Sequence, residues 1–134
     1  MIDIDLDFAL PRDPSAAALA RRELRRRFAG GLPEPNLNEL CLVVSELVTN
    51  AVRYGGGGNI LLRMIRDEAL ICEVSDTSST TPRLRHARTT DEGGRGLFLV
   101  AQLTQRWGTR YTRSGKIIWA EQDLPSVSDA VRPF

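Results

Sequence analysis

The chain has 134 residues, enough for one domain to bury a core without disulfides or a structural metal. Hydrophobic residues make up 42% and charged residues 26%, and the formal net charge is only +1, so global electrostatics gives no case for a nucleic-acid or membrane-surface partner. No apolar run approaches the ~18 residues that span a bilayer, and the acidic start Met1-Ile2-Asp3-Ile4-Asp5 is unlike a signal peptide, which points to the cytoplasm.

Ile2, Ile4, Leu6 and Phe8 alternate with Asp3, Asp5 and Asp7, the pattern of a strand with one wet face. Asp13-Pro14 then reads as an N-cap with proline at the first helical position, opening a helix that runs to about Phe28 and stops at Gly30-Gly31. Ala17, Ala20, Leu24 and Phe28 are its expected apolar stripe. Its five arginines, Arg21, Arg22, Arg25, Arg26 and Arg27, suit a solvated exterior or a docking face for an acidic partner. Asn36-Leu37-Asn38-Glu39 has the form of a capping box and predicts a long helix from Leu37 to about Tyr54. Leu37, Leu40, Cys41, Val44, Leu47, Val48 and Ala51 follow its buried rhythm, and Gly55 to Gly58 end it.

Asn59 to Arg66 and Ala69 to Ser75 predict an antiparallel hairpin turning at Asp67-Glu68. The polar stretch from Ser75 to Arg95 has no period, and so long a loop usually serves as a lid or binding segment. Gly96 to Gln105 returns to helical spacing, and a second hairpin pairs Arg106–Arg113 with Lys116–Asp123. Cys41 and Cys72 sit in apolar runs and read as core thiols, while a single histidine, His86, leaves little for zinc. The order β-α-α-β-β-loop-α-β-β predicts an α/β (α+β) fold, a two-layer sandwich. Its sheet is expected to be mixed and mostly antiparallel, with helices on one face. The domain is expected to span residues 1–125, with a loosely held tail over 126–134.

Three features carry chemistry. Glu46 and Asn50, four apart in Ser45-Glu46-Leu47-Val48-Thr49-Asn50-Ala51, project from one side of the long helix, off its buried stripe and beside Val43. A carboxamide oxygen is a neutral, hard ligand for Mg²⁺, and a carboxylate can deprotonate an attacking hydroxyl. Asp76 stands where an apolar strand meets the irregular loop, able to accept a hydrogen bond from an exocyclic amine or to make an Asx turn. Gly93-Gly94-Arg95-Gly96-Leu97 leads into a helix, where exposed N–H groups and the dipole's positive end favour phosphate oxygens. Arg95 adds a charge-assisted contact.

In this order the three resemble the N, G1 and G2 boxes of the histidine-kinase-like (GHKL) ATPase superfamily. Gly94-Arg95-Gly96-Leu97 and Gly115-Lys116-Ile117-Ile118-Trp119-Ala120-Glu121 look like its anti-sigma-factor serine/threonine kinase branch. The resemblance covers about 11–125. It implies Mg-ATP bound between the long helix and a lid, with Asn50 holding the metal, Glu46 as general base and Asp76 on adenine. Gly94, Arg95, Gly96 and Leu97 would cradle phosphates. It also implies phosphoryl transfer to a serine or threonine of an antagonist protein, sequestration of a sigma factor, and a homodimer. Asp76-Thr77-Ser78-Ser79-Thr80 departs from the family's D-x-G-x-G by lacking glycine. That departure keeps open a second expectation, an interaction module with little or no kinase activity. A sensor-kinase fragment is disfavoured because no histidine precedes Glu46.

Overall fold

The computed structural model describes residues 3–54, 58–76, 92–113 and 115–124, including all their side chains except those of 3–5, 54 and 92–97. Strand β1 (Asp3–Leu10) is followed by two helices, α1 (Ala16–Phe28) and α2 (Glu34–Tyr54), and by the hairpin β2 (Ile60–Arg66) and β3 (Ala69–Asp76). Helix α3 (Glu92–Leu103) precedes the second hairpin, β4 (Arg106–Thr112) and β5 (Gly115–Asp123). The strand order is β1-β2-β3-β5-β4, and all four pairings are antiparallel. Two successive helices return the chain to the end of the sheet where β1 finished, so β2 must run against it. The route β3, α3, β4, β5 repeats that logic with one helix and one strand. The two-layer sandwich expected from the sequence is present, but among the described residues its sheet is wholly antiparallel, not mixed.

Burial is one-sided, as a sheet covered by helices on one face requires. Ile60, Leu62 and Met64 of β2 are buried while Leu61, Arg63 and Ile65 between them are half-buried. α1 contributes Ala16, Ala20, Leu24 and Phe28, one residue every turn, and α2 contributes Leu40, Val43, Val44, Leu47 and Val48. Each large side chain in this layer removes enough apolar surface from water to stabilise the fold by about 1.5–3 kcal/mol. Both cysteines are free and buried in this core, and burial pushes each thiol's pKa up, so they pack rather than react. Among the described residues no helix is long and apolar enough to cross a membrane.

The helix starts differ from those read in the sequence, each for a local reason. Asp13 does not cap α1 directly. Its carboxylate accepts the Ser15 backbone N–H at 2.8 Å and its carbonyl accepts the Ala16 N–H at 3.0 Å, so a turn precedes the helix. The Ser15 hydroxyl, which also donates to that carboxylate, and then the Ser15 backbone N–H hold the Asp13 carboxyl below its ordinary pKa. The helix then begins at Ala16, which replaces Ala17 as the buried end of the stripe. α2 begins at Glu34, with Leu37 N–H donating to the Pro33 carbonyl at 3.0 Å. Pro35 is at home in that first turn because its missing N–H has no partner to lose there. Asn36 and Asn38 therefore lie inside the helix, and Asn38 Oδ1 faces Arg25 of α1 at 3.3 Å instead of capping.

On the helix-free face of the sheet, Glu73 is buried and Arg110 Nη2 donates to its Oε2 at 2.8 Å, across β5. Beside them the Trp119 indole lies over Gly108: a Cβ built there would sit 3.0 Å from Cζ2 and 3.2 Å from Cε2. Gly108→Val is expected to destabilise the fold by about 1–2 kcal/mol through that overpacking. The loss should vanish in a Trp119→Ala background, as read by urea unfolding. A Gly108→Val variant as stable as the parent would show that the indole yields freely.

Candidate functional site

The site lies at the end of the sheet where β1 and β3 finish and β5 begins. Asp76 is the last residue of β3 and pairs in register with Lys116 on β5. Both side chains stand on the helix-facing side, and both residues are buried, Asp76 5% and Lys116 4% exposed. Burial lowers the Lys116 pKa, Arg12 adds to that lowering, and the Asp76 charge opposes it. The third member is Arg12, just past the end of β1. Its Nη2 stands 3.5 Å from Asp76 Oδ1, its Nε donates to the Gly58 carbonyl at 3.0 Å, and its Nη1 donates to the Ala51 carbonyl.

Each partner has a structural reason to be there. Ala51 belongs to the last turn of α2, whose carbonyls have no intrahelical N–H to accept. Gly58 adopts φ 85°, a left-handed conformation that glycine takes without strain, and so turns the chain from α2 into β2. One arginine thus fastens the C-terminal end of α2 to the end of β3. Sequence reasoning missed this residue. Arg12 sits in Pro11-Arg12-Asp13-Pro14 with no motif around it, and only pairing across the fold brings it to Asp76. Lys116, the chain's single lysine, opens the expected last strand, but nothing in the sequence pairs it with Asp76.

Glu46 and Asn50 are half-buried on the flank of α2. Val43, one turn earlier on the same flank, is fully buried, so the core extends beyond the stripe read from the sequence. The flank is the border of the core, where a polar side chain keeps partial access to solvent while its backbone is held by packing on both sides. Asn50 immediately precedes Ala51, whose carbonyl Arg12 holds, so the end of the Glu46–Asn50 flank and the Asp76 carboxylate belong to one corner of the molecule.

Helix α3 packs against α2 and inserts Val100 into the core. It starts at Glu92, earlier than expected, so Gly94, Arg95, Gly96 and Leu97 have helical backbone within its first turns. Their side chains lie outside the described residues, as do 77–91, the bulk of the expected lid, and the tail over 125–134. The helix ends three residues before β4, at the end of the sheet opposite Asp76, because Arg106 pairs with Glu121 and Glu121 with Ile71. Its first turn is the end removed from there, with four N–H groups that no intrahelical carbonyl accepts.

Among the described residues no group of three or more histidine, cysteine, aspartate or glutamate side chains could cage a metal. A single half-buried carboxamide, that of Asn50, suits instead an ion such as Mg²⁺, which keeps several waters and takes further oxygens from substrate phosphates. The residues present fit that ion.

The sequence matches the histidine kinase-like ATPase domain over residues 10–121. No curated protein matches it. Among solved structures, it is similar to the crystal structure of the RsbU and RsbW domains of Rv1364c from Mycobacterium tuberculosis, with a TM-score of 0.68 and 20% identity. That alignment covers 89% of this chain and 32% of the other, so the chain spans about a third of that protein's length. It is also similar to a chain of the SiaB–SiaC complex from Pseudomonas aeruginosa, with a TM-score of 0.67 and 15% identity over 88% of this chain and 89% of that one. At these identities the likeness is one of fold.

Proposed function

Since the chain belongs to the histidine kinase-like ATPase domain family, we propose that it binds Mg-ATP at the corner formed by α2, β3 and α3 and phosphorylates a protein partner. The family implies nucleotide binding. The finer reading is an anti-sigma-type regulator, which sequesters a sigma factor and passes a phosphoryl group to a serine or threonine of an antagonist protein. It rests on the motif words from Ser45 to Ala51, Gly94 to Leu97 and Gly115 to Glu121. One structural neighbour comes from a two-protein complex, which favours a protein as acceptor. A homodimer in the cytoplasm is part of the same reading.

The observation that carries the proposal is the Arg12 bridge, which ties the end of the Glu46–Asn50 helix to Asp76. The Asn50 carboxamide oxygen would hold Mg²⁺, and that ion, when bound, would supply charge neutralisation on the phosphates. Asp76 accepts the adenine amine, and the first-turn N–H groups of α3 with Arg95 hold phosphate oxygens. Glu46 takes the proton from the acceptor hydroxyl as its oxygen bonds to the γ-phosphorus. The bond from that phosphorus to the bridging oxygen breaks, and ADP leaves.

A second reading, a binding module with little transfer, is favoured by the ion pair already on Asp76 and by the glycine-free run after it. Thermal unfolding with ATP and with ADP, each with and without Mg²⁺, tests binding first. Ligand at ~100 times its dissociation constant stabilises the native state by about 2.7 kcal/mol, a rise of several degrees. No rise with either nucleotide would sink the kinase reading and leave the interaction module. Incubation with γ-labelled ATP, Mg²⁺ and a candidate antagonist then separates them. Label on a serine or threonine identifies the kinase, and nucleotide binding without label identifies the module.

A further inference from the structure

We propose that Arg12 is a specificity-determining latch, whose guanidinium holds the Asp76 carboxylate so that a nucleobase amine reaches it only by displacing the arginine. The inference rests on the nucleotide-binding reading above and adds a residue to it. The Asp76 side chain is only 2% exposed, whereas Arg12 retains 16%. A solvent-borne ligand therefore meets Asp76 only after a covering group moves, and Arg12 lies against the carboxylate oxygen.

The hold on Asp76 is the weakest of the arginine's contacts. Arg12 stands 3.5 Å from Asp76, longer than a good charge-assisted hydrogen bond, while it also donates to the Gly58 carbonyl at 3.0 Å and to the Ala51 carbonyl. Letting go of Asp76 breaks the longest of these contacts, and because the guanidinium is a rigid plane, its bonds to the Gly58 and Ala51 carbonyls must lengthen or pass to water as it turns. Lys116, in register across the β3–β5 pairing, stays as a second positive charge near the carboxylate when the guanidinium turns away. Two cations around one carboxylate also mean that, with the latch closed, the corner presents donors where an adenine amine needs an acceptor. Closed, it disfavours adenine.

Arg12→Met removes the guanidinium and keeps the length of the side chain. Calorimetric titration of the full chain is expected to show Mg-ATP binding about tenfold tighter than in the parent. Mg-ITP, whose base lacks the exocyclic amine, is expected to bind both proteins alike. Asp76→Asn added to Arg12→Met should erase the gain. Mg-ATP affinity that stays the same or falls would overturn the latch and leave the nucleotide reading standing. Equal tightening for ATP and ITP would also overturn it, since that reports a lost charge and no freed acceptor. Absence of any nucleotide binding in parent and variant would remove the nucleotide reading and the latch together. Loss of a buried ion-pair partner can be costly to folding, so melting without nucleotide is recorded for each protein. Arg12→Gln, which still donates to backbone carbonyls, replaces the Met variant if that does not fold. It carries the same expectation, and a Gln variant that binds ATP no more tightly than the parent overturns the proposal.

Discussion

Replacing Asn50 by alanine is expected to abolish Mg²⁺-dependent nucleotide binding, a loss of about 10²-fold or more in Mg-ATP affinity. Disturbing a supporting contact around a bound metal already costs about 10–100-fold, and Asn50→Ala removes the proposed ligand itself. In the proposed site the carboxamide would supply a neutral oxygen to an ion otherwise bound by phosphates and water, so its loss would not be made good from the same helix. Asn50 is half-buried at the border of the core, beside the last buried turn of α2, so truncation there should leave the fold nearly unchanged. Titration of Mg-ATP into parent and variant, with melting curves as control, checks this. Asn50→Asp, which keeps a hard oxygen at the same place, is expected to restore part of the binding. Undiminished Mg-ATP affinity in the alanine variant would remove Asn50 from the metal site.

The second large effect is on the rate. Glu46→Ala is expected to slow phosphoryl transfer by ~10²-fold or more while leaving Mg-ATP affinity close to the parent's, the signature of a lost general base. Glu46 lies one turn before Asn50 on the same flank, which brings a proton acceptor and a metal ligand to the same side of the proposed acceptor hydroxyl. The measurement is single-turnover transfer of label from γ-labelled ATP to the antagonist protein at saturating nucleotide. Equal rates in variant and parent would dismiss Glu46. A fall in affinity with no change in the saturated rate would make it a binding residue.

Much of the architecture was legible in the chain because it rests on short-range regularities. Alternation in Ile60–Arg66 and the four-residue spacing of Ala20, Leu24 and Phe28 follow from strand and helix periods, which tertiary packing then exploits without altering. The stop before Gly30-Gly31 and the Asp67-Glu68 turn punctuated those elements correctly, whereas Gly93, Gly94 and Gly96 lie within α3. Helix starts were less legible. At Asp13, Pro35 and Glu92 several local hydrogen-bonding solutions compete within a few residues, and surrounding contacts choose among them.

Glu46, Asn50 and Asp76 could be singled out from residue type and spacing, since a carboxamide and a carboxylate one helical turn apart share a side wherever the helix goes. Arg12 could not. Its significance comes from three partners, Ala51, Gly58 and Asp76, that lie far along the chain and meet it only once five strands have paired and two helices have crossed the sheet. Val43, outside the buried stripe read from the sequence, is core for the same reason, because burial of a helix side depends on which element packs against it. Periodicity is written in neighbouring residues; charge partnerships and burial belong to segments brought together by the topology.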